Sequence, residues 1–409
     1  MEELATPVFV ARQPIFDKNL KIWGYELLFR EAESAKEANV TDGEYATSKV
    51  ILYGFPLAQK GVKNNVKFLI NFTEESLLKE IPFLLPKDRV IVEVLETVSL
   101  NTKIAKLCIK LKKSGYMLAL DDFTGEIENK KFFYIFDIIK IDLPNFKDDI
   151  KNTVKELKRY KCKVLAEKVE NRKEFEFTKE AGFDLFQGFF FSKPQIVSGR
   201  TINPTQLSKI KLLNILSQKE DLTPEKLAEV IKSDVSLSYN LLKFINSASF
   251  SFLRKIESIK DAINYLGMQN VIKWCMILLL THLNPSSVGK ELVRLSVQRA
   301  YFLENLYKYV KVPVSQDSFF LLGMFSKLDA ILNLPMEEAL KDIKIDPKVK
   351  DALVKGNELT TYLFLLENYE KGNWETVDKM TSELGISSEK LLESHLKALE
   401  FLSKFYYEF

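Results

Sequence analysis

The chain has 409 residues, of which 46% are apolar and 28% charged, and its formal net charge is +3. That is the composition of a globular protein with two or three domains, each able to bury a core. Lys and Glu are interleaved, as in KEFEFTKE and KELKRYK, which argues against nucleic acid as the main partner. Cys108, Cys162 and Cys275 lie far apart, so packed thiols are expected rather than disulfides or metal ligands. The opening MEELATPVFV lacks the basic n-region of a signal peptide. The most apolar run, 271–280, contains Lys273 and is too short to span a bilayer, so a cytoplasmic protein without membrane contact is expected.

Short apolar runs bounded by turn signals predict strands at 8–16, 23–29, 67–72, 90–95, 117–120, 136–142, 163–167 and 183–188. Helical patterns fall between them at 43–59, 74–80, 101–114, 147–160 and 172–181. Such alternation predicts a parallel sheet with right-handed crossovers, and eight strands fit a (β/α)8 barrel. The first 195 or so residues are few for that fold, normally ~250, so a helix is expected to be trimmed near 126–134.

The run 117–120 ends in adjacent acids, Asp121 and Asp122, which repel each other unless a cation sits between them. Alone, this pair reads as a solvated turn. The other strands repeat the design, carrying Glu26, Asn71, Glu93, Lys140, Glu167 and Gln187 near their ends. Charges inside apolar strands need partners or metal. In a parallel barrel the strand ends converge on one face, where such folds keep their chemistry.

After Pro194 the pattern changes. Residues 195–205 read as a linker, and beyond them no strand alternation remains. Thr223-Pro224 has the form of a helix start, and Ser258 to Asp261 resembles a capping box. Further helices are expected at 291–309, 317–332, 335–343, 358–369, 373–384 and 388–407. The expected division is a barrel domain at 1–198 and an all-helical domain at 199–409.

The first part resembles the EAL family, the phosphodiesterases of the bacterial messenger cyclic di-GMP. The signature Glu-Ala-Leu-x-Arg appears as Glu26-Leu27-Leu28-Phe29-Arg30, Asn-x-Ser/Thr as Asn71-Phe72-Thr73, and Glu-x-x-Glu as Glu93 with Glu96. Asp-Asp-Phe is Asp121-Asp122-Phe123, Lys-x-Asp is Lys140-Ile141-Asp142, and Gln-Gly is Gln187-Gly188. The resemblance implies a shortened TIM-like barrel whose Glu26, Asn71, Glu93, Asp121, Asp122 and Glu167 hold Mg²⁺ or Mn²⁺. It implies Lys140 and Glu167 as catalytic groups, Glu167 as general base, and Arg30, Leu28, Gln187 and Pro194 as ligand-pocket residues. The helical part, through 227–253 and 256–267, is similar to the HDOD family, inert relatives of HD phosphohydrolases that engage proteins. Its two histidines, His282 and His395, are expected to be surface or core residues rather than ligands.

Two departures bear on function. The loop after Asp122 reads DFTGEIENK, one residue shorter before its Gly than the family loop that links subunits of the active homodimer. Lys168 replaces a family Gly, which is expected to put a cation beside Glu167. Two functions are therefore expected in competition: metal-dependent hydrolysis of cyclic di-GMP to pGpG, or an inactive cyclic di-GMP sensor or scaffold with an unidentified signalling protein bound through the HDOD part. Lys140→Met is expected to abolish turnover with stability near the parent's.

Overall fold

A computed structural model of the chain describes residues 8–31, 54–60, 62, 65–123, 130–146, 148–192, 204–218, 222–246 and 256–406. Two compact units result. One comprises Met1–Lys193 together with Leu365–Leu392, and the other Pro194–Phe364 with Glu393–Phe409.

The first unit is built on a closed barrel of eight strands in chain order: β1 (Val8–Asp17), β2 (Ile22–Glu31), β3 (Lys67–Phe72), β4 (Val90–Val94), β5 (Met117–Leu120), β6 (Ile138–Asp142), β7 (Lys163–Glu167) and β8 (Leu185–Gln187). From β2 to β8 successive strands are parallel, as the alternation predicts. β1 differs: it runs antiparallel to both β2 and β8. The reason is local. Only four residues separate β1 from β2, too few for a crossover, and they form a turn in which Asp17 Oδ1 accepts from the amides of Asn19 (2.8 Å) and Lys21 (2.9 Å).

One layer of inward-pointing residues fills the barrel: Ile15, Leu69, Ile91, Ala119, Ile138, Leu165 and Leu185. Outside, the helices Thr102–Lys113, Ile150–Leu157 and Arg172–Ala181 start at side-chain caps from Asn101, Asp149 and Asn171. Between β5 and β6 the described residues hold only a 3-10 turn, Lys130–Ile135, where a trimmed helix is expected. Of the helix expected at 43–59, residues 54–58 are helical and 43–53 lie outside the described residues.

Leu365–Leu392 packs within this unit. Phe9 of β1 meets Tyr369 and Trp374 with ring centroids 6.0 Å from each, and those two rings lie 5.2 Å apart, edge to face.

The described residues of the second unit are helical with no strand: Pro204–Ser217, Pro224–Lys232, Val235–Ile245, Ile259–Leu266, Met268–Leu283, Ser287–Leu306, Gln316–Phe325, Leu328–Leu332, Met336–Ala339 and Pro347–Val354 precede the helices Thr360–Lys371 and Ser388–Tyr406, each of which belongs partly to it. Thr223 caps its helix by accepting from the Lys226 amide, and Ser258 accepts from the Asp261 amide at 3.0 Å while its hydroxyl donates to Asp261 Oδ2 at 2.6 Å. The single helix expected at 317–332 breaks at Ser326-Lys327, and Pro347–Val354 is a helix the periodicity did not indicate. Lys273 is tolerated in the apolar run because its ammonium meets Glu304. Among the described residues no single helix is long and apolar enough to cross a membrane. All three cysteines are buried and free.

Candidate active site

Alternation carries the strands from core to site. Two residues beyond each member of the filling layer, on the same inward face, stand Asn71, Glu93, Asp121, Lys140, Glu167 and Gln187. β2 adds Glu26, paired with Leu69 on one side and Gln13 on the other. Because β1 is reversed, its residue at this level precedes the core residue Ile15 by two, and it is Gln13. Every strand thus gives one polar group to a single ring. Gln13 was missed from the sequence because a polar residue in mid-strand is not at a strand end; the short Asp17 turn is the signal that would have exposed the reversal.

Lys140 sits at the centre, fully buried. Its Nζ donates to Glu93 Oε1 and to Asp121 Oδ1 at 2.8 Å, and it lies 2.9 Å from Glu167 Oε1 and 3.4 Å from Glu26 Oε1. Four carboxylates against one ammonium leave three negative charges if all are ionised. Burial and repulsion from the neighbouring acids hold Glu93 well above the usual carboxylate range and push Glu167 up to about 8, against the pull of Lys140. Burial also opposes ionisation of Asp121, but there the Lys140 ammonium prevails and the pKa is lowered. Burial would depress Lys140, yet the carboxylates of Glu167, Glu26, Glu93 and Asp121 raise it well above its ordinary value.

Asp121, Asp122 and Glu167 each offer a carboxylate oxygen within 4.8 Å of the others. Hydrogen bonds from the Asp121 amide to Val94 O (3.0 Å) and from the Phe123 amide to Lys140 O (2.9 Å) fix the turn on both sides. Asp122 between them is held at φ 39°, a left-handed conformation that costs of order 1–3 kcal/mol and clusters at functional sites. Five buried oxygens at or beside this level, Asn71 Oδ1, Glu93 Oε2, Asp142 Oδ1, Glu167 Oε2 and Gln187 Oε1, have no hydrogen-bond donor among the described residues. Native proteins rarely leave so many acceptors unsatisfied. An oxygen-rich set with excess negative charge fits a hard divalent cation. Since a ligand must be deprotonated and burial raises both Glu93 and Glu167, Mn²⁺ affinity is expected to climb with pH, by up to about tenfold per unit for each proton released. Calorimetric titrations between about pH 6 and pH 9 check this, and a flat profile would contradict it.

The remaining expected positions divide as follows. Asn71 Nδ2 donates to Glu26 Oε1 at 3.3 Å, and Gln187 Nε2 to Glu26 Oε2 at 2.5 Å and to Gln13 Oε1 at 2.9 Å. Leu28 is half-buried on β2 and packs under Gly372. Glu96 is exposed, away from the ring. The Arg30 side chain, Pro194 and loop residues 124–129 lie outside the described residues. Lys168 lies close enough to act on Glu167 through space, but its ammonium binds Asp142, and the direct partner of Glu167 is Lys140. The Lys168 φ of 54° is a left-handed conformation that a Gly would adopt without strain. Asp142, two residues beyond Lys140 and neighbour of Glu167 across β6 and β7, is a further buried acid beside the ring that sequence reasoning left without a role.

The closed barrel, whose eight strands aim carboxylates, amides and one lysine at a common centre, is an α/β barrel with a group of acids that could hold a cation. The EAL domain model matches residues 57–194 and the HDOD domain model residues 204–344. The matched EAL span begins after β2, so Gln13 and Glu26 join the ring through closure of the barrel. The uncharacterized protein YuxH of Bacillus subtilis is 36% identical over 96% of this chain and 97% of its own length. The cyclic di-GMP phosphodiesterase CdgJ of Vibrio cholerae is 32% identical over 97% of this chain and 93% of its own. The chain belongs to the family of proteins that join an EAL domain to an HDOD domain. Among solved structures, the BlrP1 calcium and cyclic di-GMP complex of Klebsiella pneumoniae is 25% identical over 46% of this chain and 56% of that one, with a TM-score of 0.38.

Proposed function

We propose that the barrel binds cyclic di-GMP and hydrolyses it to linear pGpG in the presence of Mg²⁺ or Mn²⁺. The observation that carries this reading is the buried ring, with its excess of carboxylates and five unsatisfied oxygens. The substrate is suggested by the name of the 32%-identical Vibrio relative. Glu26, Asn71, Glu93, Asp121, Asp122 and Glu167 would hold the cations, whose bound form supplies charge neutralisation and a more acidic water. Glu167, a deprotonated carboxylate when it holds a cation, would accept a proton from the attacking water at Oε2, which has no donor among the described residues. Lys140 would supply a positive charge to the developing phosphoryl oxyanion once bound cations take over the carboxylates that hold its ammonium here. Gln187 presents Oε1 as an acceptor for a ligand donor, and Leu28, Arg30 and Pro194 are assigned to the pocket by resemblance to the EAL family. Residues 1–198, joined by Leu365–Leu392, are assigned to this cytoplasmic enzyme domain and the rest of 199–409 to an HDOD-like region that recruits a signalling protein, with homodimerisation as in the family.

Turnover of cyclic di-GMP with Mn²⁺, measured beside an equilibrium binding titration, tests the reading. Formation of pGpG supports it, tight binding without product assigns a sensor, and absence of both removes it. Asp121→Asn is expected to weaken Mn²⁺ binding by roughly 100-fold while the fold is kept, because one ligand charge goes and a repulsion is relieved. Parent-like Mn²⁺ affinity in that variant would remove Asp121 from the ligand set.

A further inference from the structure

The end of the helix Thr360–Lys371 and the start of Trp374–Glu383 meet in a turn that belongs to the barrel's own compact unit. It touches the barrel at three points. The Lys371 carbonyl accepts from Gln13 Nε2 at 3.2 Å, the Lys371 ammonium lies 4.7 Å from the centre of the Phe189 ring, and Gly372 lies against Leu28. Phe9, Tyr369 and Trp374 anchor the segment behind the turn. The turn falls in residues beyond the 204–344 span that matches HDOD.

We propose that this turn positions the cation-binding ring through a relay of two amides. Lys371 O can only accept, so Gln13 must show it the amide nitrogen and turn Oε1 inward. Gln187 then donates Nε2 to Gln13 Oε1, and the same nitrogen donates to Glu26 Oε2. A carbonyl some 360 residues away in sequence thus fixes which face Gln187 shows and where Glu26 points, and it leaves Gln187 Oε1 as the acceptor aimed into the site. Gln13 is a positioning residue here, and the turn acts through it.

Gly372 is what brings the carbonyl this close. Its φ is +70°, and a Cβ there would meet Leu28 Cδ1 at 2.6 Å and Leu28 Cβ at 3.1 Å. A side chain at 372 displaces the end of Leu28 and strains the turn at its positive φ, and the turn's share of that shift lengthens the Lys371–Gln13 bond while the aromatic anchor holds the helices.

The proposal rests on the reading of the ring as a cation site, and its test needs no cyclic di-GMP. Mn²⁺ affinity is measured by titration on the full chain for the parent, Gly372→Ala, Gln13→Leu and the double variant. Each single change is expected to weaken Mn²⁺ about fivefold, the worth of one lost hydrogen bond, with KM raised more than kcat lowered where turnover is seen. If the turn acts through Gln13, the double variant is no weaker than Gln13→Leu alone. Thermal unfolding checks each fold, and Gly372→Asn, which tolerates positive φ but carries a Cβ, replaces Gly372→Ala if that variant is unfolded. Parent-like Mn²⁺ affinity in the Gly372 variant, or losses that multiply in the double variant, would overturn the relay while leaving the cation site intact. A parent chain that binds no Mn²⁺ would overturn both.

Discussion

Lys140→Met is expected to destabilise the metal-free protein by about 3–5 kcal/mol at neutral pH, because it strips four buried carboxylates of their shared cation. From the sequence alone the same change was expected to be nearly neutral, as when a buried pair is replaced by an apolar side chain. The difference is stoichiometric: one ammonium serves four acids, so removing it leaves repulsion rather than a clean cavity. The variant's remaining acids should take up protons, since burial and mutual repulsion already raise Glu93 and Glu167. A folded state that binds more protons than the unfolded chain loses stability as pH rises, so the deficit should shrink toward acidic pH and widen above neutrality. Mn²⁺ should restore part of it by supplying the missing charge. Activity should fall at least about a hundredfold, as for loss of an oxyanion partner. Urea unfolding in EDTA measures the first effect, and a loss below about 1 kcal/mol would show that the acids are not ionised together around Lys140.

Gly188→Ala is expected to cost about 3 kcal/mol or more. An added Cβ would lie 2.1 Å from Val169 O and 2.4 Å from Val169 N, both backbone atoms, at a φ of +147° that side chains avoid. Neither partner can yield easily: the Val169 amide donates to Gln187 O at 2.9 Å, and Val169 O accepts from the Phe190 amide at 3.1 Å. The strain falls on Gln187, so cation binding should weaken together with the fold. A midpoint shift in urea worth under about 1 kcal/mol would mean that β8 ends less tightly than these contacts imply.

Much of the site was legible because a barrel strand has a period of two. An apolar residue filling the interior and a polar one two positions later, as in Ile91 and Glu93 or Leu165 and Glu167, is a local pattern that survives without knowledge of the fold. What escaped was set by non-local geometry. Gln13 joins the ring only because β1 is reversed, and the sign of reversal lies in a four-residue turn rather than in β1. The Lys168 partner could not be read from adjacency to Glu167, since its left-handed backbone directs the side chain to Asp142 on the next strand. Periodicity marked helices near 358–369 and 373–384, but a helix's amphipathic face does not name what it packs on. The match of Tyr369 and Trp374 to Phe9 needed the folded chain.

The account stands or falls on whether the ring is a cation site. Anomalous diffraction from a crystal of the full chain soaked in Mn²⁺ tests that directly. The prediction is a manganese peak bounded by Asp121, Asp122 and Glu167 at ordinary metal–oxygen distances of about 2.0–2.2 Å. A crystal with manganese bound elsewhere, or with none while Lys140 still holds all four carboxylates, would contradict it.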